Sequence, residues 1–204
     1  MNQIEKFIED LGNENNGKLG FSENLYFGDS RESLIRKHNL LTYFVHMKKL
    51  KPKILLLGEA PGYKGCRLTG VPFTSEKILS NHLFFKELNF QFINNNFESE
   101  QSATIVWNAL NDFENKPLIW NIFPFHPYDG KDFSTNRTPN ENELELGQKI
   151  LMKLLEIFEI EIIVAVGRKS ELKVKELNRT STYVRHPANG GKNKFVAGIN
   201  EIFK

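Results

Sequence analysis

Four short stretches of this chain gather residue types that do chemistry, and each follows an apolar run. Lys53-Ile-Leu-Leu-Leu57 is followed by Gly58-Glu59-Ala60-Pro61-Gly62. Leu118–Phe123 contains Trp120-Asn121 and leads into Pro124-Phe125-His126-Pro127. Ile160–Val166 is followed by Gly167-Arg168-Lys169, and a weaker run, Thr182–Arg185, leads into His186-Pro187-Ala188-Asn189-Gly190-Gly191-Lys192. Together they supply a carboxylate, an amide, an imidazole and several cations. Such groups hold a water or move a proton, read a hydrogen-bonding edge and attract anions. Each alone has a plainer reading: a tight turn, a structural His–Pro, solvated surface charge. Their recurrence at the ends of apolar runs favours a shared site.

The runs are short and wholly apolar, the pattern of strands buried on both faces of a parallel sheet. Helical spacing lies between them. Ile4, Phe7, Ile8 and Leu11 predict a first helix over Met1–Leu11, with a loop at Gly12–Gly17; Arg31–Lys49 predicts a second. Thr74 or Ser75 caps a helix to about Leu88, and Ala103–Leu110 forms another. Thr138-Pro139-Asn140-Glu141 reads as an N-cap, a first-turn proline and a glutamate three residues after the cap, opening a helix to about Phe158. Ser170–Leu177 and Lys194–Phe203 complete the set. Alternating strands and helices mean an α/β layered sheet with right-handed crossovers. In such sheets ligands bind beyond the carboxyl ends of the strands, where these clusters fall. The long polar segment Pro127–Arg137 is a candidate functional loop.

Composition narrows the classes. With 204 residues, 40% hydrophobic and 25% charged, one domain over 1–204 is expected, with a helical part over 1–50 and an α/β core over 51–204. A net charge of +2 excludes a polybasic protein but not a basic cleft. The single cysteine, Cys66, excludes an internal disulfide and a four-cysteine metal or iron–sulfur site. His82, His126 and His186 lack paired ligand spacing, and neither G-x-x-x-x-G-K-[ST] nor G-x-G-x-x-G follows the first strand, so no metal and no cofactor are expected. Without a membrane-length apolar run or a signal pattern, the expected setting is cytoplasmic and the expected state a monomer.

The stretch Gly58-Glu-Ala-Pro-Gly-Tyr-Lys-Gly-Cys-Arg-Leu-Thr-Gly-Val-Pro-Phe-Thr-Ser-Glu76 resembles the first motif of the uracil-DNA glycosylase superfamily. Its Gly58–Gly62 part is similar to the iron–sulfur branches, and Gly65-x-x-x-Thr69-Gly70-x-x-Phe73-Thr74 to the branch without a polar residue at the motif's centre. Asn121 resembles the superfamily's base-reading asparagine, and His186-Pro187 its second motif. The resemblance covers Lys51–Lys204 and implies a three-layer α/β/α fold around a four-stranded parallel sheet. Two departures stand out. The cluster cysteines are absent, and Ala60 occupies the place where some branches carry a water-activating aspartate.

The resemblance implies hydrolysis of the N-glycosidic bond of uracil in DNA, as in base-excision repair. Gly58, Ala60, Pro61, Gly62, Phe73 and Asn121 would form the base pocket, with Phe73 stacking on the flipped base and Asn121 reading its edge. His186 would donate to the leaving base. Glu76, at the start of a helix, is favoured as the carboxylate, with Glu59 as the second candidate. Tyr63, Lys64, Arg67, Arg185 and Lys192 would meet the DNA backbone. The alternatives are a nucleic-acid or nucleobase-binding protein of the same fold without catalysis, motivated by Ala60, and a glycosylase for another damaged base.

Overall fold

The three apolar runs form buried strands, because residues without polar side chains are stable only where both faces of a sheet are covered, and the more polar, partly exposed Ser181–Val184 adds an edge strand. The structure, a computed structural model, describes residues 1–14 and 20–203. In chain order the elements are α1 (Gln3–Asn13), β1 (Ser22–Glu23), α2 (Arg31–Leu50), β2 (Ile54–Gly58), α3 (Cys66–Thr69), α4 (Glu76–Asn81), α5 (Gln101–Leu110), β3 (Leu118–Asn121), β4 (His126–Pro127), α6 (Glu141–Ile157), β5 (Ile162–Val166), α7 (Arg168–Glu176), β6 (Ser181–Val184) and α8 (Lys192–Phe203). A 3-10 turn covers Leu83–Phe85.

The main sheet is parallel throughout, in the order β3-β2-β5-β6. Its register sets Gly58 beside Asn121, so the ends of β2 and β3 are level. Helices α1, α2, α6 and α7 pack as one connected group, and α5 packs with α8. Trp120 of β3 is fully buried against Phe7 of α1 and Phe44 of α2. The outer edge of β3 is closed by Tyr43, whose hydroxyl accepts from the Ile119 N–H at 2.8 Å.

Several sequence expectations shift. Of the loop expected over Gly12–Gly17, residues 15–17 lie outside the described residues, and Gly12 and Asn13 continue α1. The cap of α6 is Asn140, not Thr138: its side chain accepts from Glu143 N–H while the Glu143 carboxylate accepts from Asn140 N–H. Pro139 therefore precedes the cap. The helix expected to reach Leu88 stops at Asn81, because His82 turns extended and its Nδ1 accepts from Phe84 N–H, opening the 3-10 turn. The two-residue strands β1 and β4 pair antiparallel, Glu23 opposite His126, in segments too short to show a period.

Tyr43→Phe leaves the Ile119 N–H without its partner in a dry site. A buried donor stranded this way costs about 1–3 kcal/mol. Urea unfolding of the variant should show that loss with an unchanged denaturant slope.

Candidate active site

A cleft of about 590 Å³ opens at the carboxyl ends of the strands. Its wall is built from Glu59–Gly62 after β2, Asn121 at the end of β3, Gly167–Lys169 after β5 and Arg185, His186, Ala188 and Asn189 after β6. Phe73 and the start of α5 close one side, and Asn136–Thr138 the other.

The floor is tightly specified. A Cβ on Gly58 would lie 2.3 Å from the Phe73 ring and 2.5 Å from Asn121 Oδ1, so only glycine lets the ring and the amide meet there. Phe73 reaches this place with φ +48°, a left-handed conformation that costs a non-glycine residue about 1–3 kcal/mol. Trp107 of α5 holds it by donating Nε1–H to the Phe73 carbonyl at 2.9 Å. The Phe73 and His186 rings lie 6.0 Å apart between centroids. Asn121 is 2% exposed, and its side chain makes no hydrogen bond to any described residue. Its amide is not sealed in the interior but opens onto the cleft, with donors and acceptor available to a ligand.

His186 is held in one form. Ala188 N–H donates to its Nδ1 at 3.2 Å, which leaves the ring proton on Nε2. Burial, with Arg185 adding to it, lowers its pKa to about 4, so the ring is neutral near pH 7. Glu59 is half-buried at the cleft wall. Burial raises its pKa, while a hydrogen bond from Thr138 and the charge of Lys169 act the other way.

Glu76 does not face the cleft. It is 1% exposed, and its carboxylate accepts from the backbone N–H of Ile93 and Asn94, both at 2.9 Å, from Asn94 Nδ2 at 3.0 Å and from Glu98 N–H at 3.4 Å. Those four donors consume its oxygens. The preference for Glu76 as water-holding carboxylate is therefore corrected: it pins the 93–98 loop. Arg67 is committed in part inside the protein. Its Nε donates to Glu23 at 2.7 Å and its guanidinium lies 5.3 Å from the centre of the Phe133 ring.

The other cations differ in reach. Lys64 is exposed, 5.7 Å over the Tyr63 ring, while Tyr63 N–H donates to Asn136 Oδ1 at 3.0 Å. Arg185 lines the cleft, and Lys192 is exposed at the start of α8. Ser102, Asn136 and Thr138 also line it; Asn136 falls within the expected functional loop Pro127–Arg137, while the sequence does not single out Ser102 or Thr138 for the site. Ser102 sits at a helix start, and Asn136 and Thr138 sit in a loop without periodicity.

The model of the Uracil DNA glycosylase superfamily matches residues 44–203. The chain belongs to this superfamily. Among solved structures it is similar to the crystal structure of wild-type SMUG2 from Pedobacter heparinus, with 17% identity, 98% of this chain and 95% of that chain covered, and a TM-score of 0.67; the likeness is one of fold. No curated protein matches the sequence. The four-thiolate cluster of some superfamily branches does not fit here: Cys66 is the one cysteine, and burial raises its thiol pKa. Among the described residues no three His, Cys, Asp or Glu side chains are placed to share a metal, and no helix is long and apolar enough to cross a membrane.

The lowered His186 pKa has a stability signature. Between pH 6.5 and about 4 the unfolded chain binds a proton that the folded site refuses, so stability falls as pH drops through that window. His186→Gln should lessen the loss between pH 7 and 4.5 by on the order of 2 kcal/mol. Urea titrations of both proteins at the two pH values measure it.

Proposed function

We propose that this superfamily member is a monofunctional DNA glycosylase that hydrolyses the N-glycosidic bond of uracil in DNA. The observation that carries the reading is the buried, unpaired Asn121 amide beside a neutral Nε2–H donor, His186, at one cleft. An amide of this kind accepts from N3–H and donates to O4 of uracil.

The base leaves the strand and stacks on Phe73, because its reacting atoms are out of reach inside a duplex. The bond between C1′ and N1 then breaks with its electron pair passing to the base. The charge that develops on O2 meets His186 Nε2–H, which donates without transferring its proton. Water captures the sugar cation at C1′ and gives a proton to Glu59, the carboxylate at the wall. Thr138 and Lys169 favour the charged form of Glu59 against burial, and so keep it able to take that proton. Gly58, Ala60, Pro61 and Gly62 shape the pocket's backbone, while Lys64, Arg185 and Lys192 attract phosphates at the rim.

The test uses oligonucleotides carrying a single uracil, hypoxanthine or thymine mismatch, with alkali to reveal abasic sites. Uracil should be released and chelators should have no effect. Release of hypoxanthine alone would reassign the base. Binding without release of any base would favour the non-catalytic reading, which Ala60 motivates.

Glu59→Gln should lower single-turnover release by at least about 10²-fold, the usual scale for a positioned base. The wild-type rate should fall with acid at a pH above the ordinary carboxylate value, the direction in which burial moves Glu59, and Glu59→Gln should lack that fall. Glu76→Gln should instead lower the melting temperature and leave the chemical step within a few-fold. A catalytic collapse in Glu76→Gln with full stability would return the role to Glu76.

A further inference from the structure

The superfamily match begins at residue 44, yet the turn that delivers Phe73 is held by residues before it. Tyr26, 1% exposed, donates its hydroxyl to the Gly70 carbonyl at 2.8 Å. Asn39, fully buried, donates its amide to the Thr69 carbonyl at 2.9 Å and exchanges two further bonds with Gln91. Glu23 accepts from Arg67 at 2.7 Å and from Arg36 at 3.3 Å. Gly70 itself has φ +74°, and a Cβ there would lie 2.7 Å from the Arg36 carbonyl oxygen, so the turn is seated on the backbone of α2.

The grip continues toward the ring. The hydroxyls of Thr69 and Thr74 bond to each other at 2.8 Å, and Thr74 donates to the Val71 carbonyl at 2.7 Å. Phe73 lies inside this loop of bonds. From the side of α5, Trp107 Nε1–H donates to its carbonyl at 2.9 Å. A left-handed phenylalanine does not keep its conformation unaided; its surroundings must impose it. Here the imposing groups come from both sides in sequence, and those on the near side lie outside the matched stretch.

We infer that Tyr26 and Asn39 are positioning residues that hold the Phe73 ring against Asn121 and His186, so that the segment 22–39 is a working part of the base pocket. The inference rests on the reading of Phe73 as the ring that stacks on the extruded base. A misplacement of about 1 Å at a reacting site can cost on the order of 10²-fold in rate, so a small slip of the turn is measurable.

A double-mutant cycle on the full chain tests it. Tyr26→Phe keeps the ring and removes one hydrogen bond. It should slow single-turnover uracil release about tenfold while the Kd for the oligonucleotide stays within twofold. Asn39→Leu, read the same way, guards against an idiosyncrasy of one site. In a Phe73→Ala background Tyr26→Phe should cost less than twofold, because the group it positions is gone. Additive losses, or a silent Tyr26→Phe beside a damaging Phe73→Ala, overturn the inference. A silent Phe73→Ala instead removes the stacking reading. A second measurement then decides the grip without substrate. Amide exchange at Gly70 and Val71 should rise at least tenfold in Tyr26→Phe relative to the β2 amides, and unchanged exchange overturns the proposal.

Discussion

The end of β2 admits a hydrogen atom and no side chain. Because Gly58 has no Cβ, the Phe73 ring and the Asn121 amide converge on the same few ångströms, and the level register of β2 and β3 keeps them there. Several features of the cleft bear on this approach. The left-handed backbone at Phe73, the indole donor of Trp107 and the seating of Gly70 on α2 all fix where one ring lies. A larger residue at position 58 would push the ring, the amide or both out of place. The atoms it would meet are the ends of those two side chains, so the clash falls on the ring and the amide themselves.

Polarity is arranged with equal economy. The cleft keeps one amide unpaired and one imidazole neutral, and it places a carboxylate where burial opposes charge and Thr138 and Lys169 favour it. Groups that need fixed partners have them elsewhere. Glu76 takes four N–H donors behind the site. Glu143 takes Arg137 in a two-pronged pair at 2.6 and 2.7 Å, which ties the loop before α6 to the helix that follows it. His126 sits between the Pro61 and Phe133 carbonyls, 2.9 and 3.0 Å from its two ring nitrogens, and so packs the Gly58–Gly62 turn against that same loop.

The sheet was legible because burial on both faces writes itself into sequence as uninterrupted apolar runs, and strand ends then locate the cleft. Hence Glu59, Asn121 and His186 could be named together before any coordinates. Glu76 shows where that logic stops. A glutamate in the first turn of a helix looks the same whether its oxygens meet water or the backbone of a loop twenty residues on, and no pattern in 93–98 announces that loop. The partner of Arg67 was hidden for a similar reason: Glu23 is distant in sequence and belongs to a two-residue strand. The cap of α6 moved by two residues because Asn140 and Thr138 carry equivalent signals, and only the reciprocal bonds with Glu143 separate them.

The parallel register also carries a consequence for how the molecule comes into being. β2 lies beside β3 and β5, each of which is made much later on the ribosome, and the imidazole follows the last strand of the sheet. No early fragment holds even a rudimentary pocket, since its parts are distributed over the whole length of synthesis. Contacts so distant in sequence form slowly. Until the final strand emerges, the apolar runs that will be sealed on both faces stay open to other chains. The cleft is therefore among the last parts of the molecule that can take shape, since its imidazole follows the final strand of the sheet.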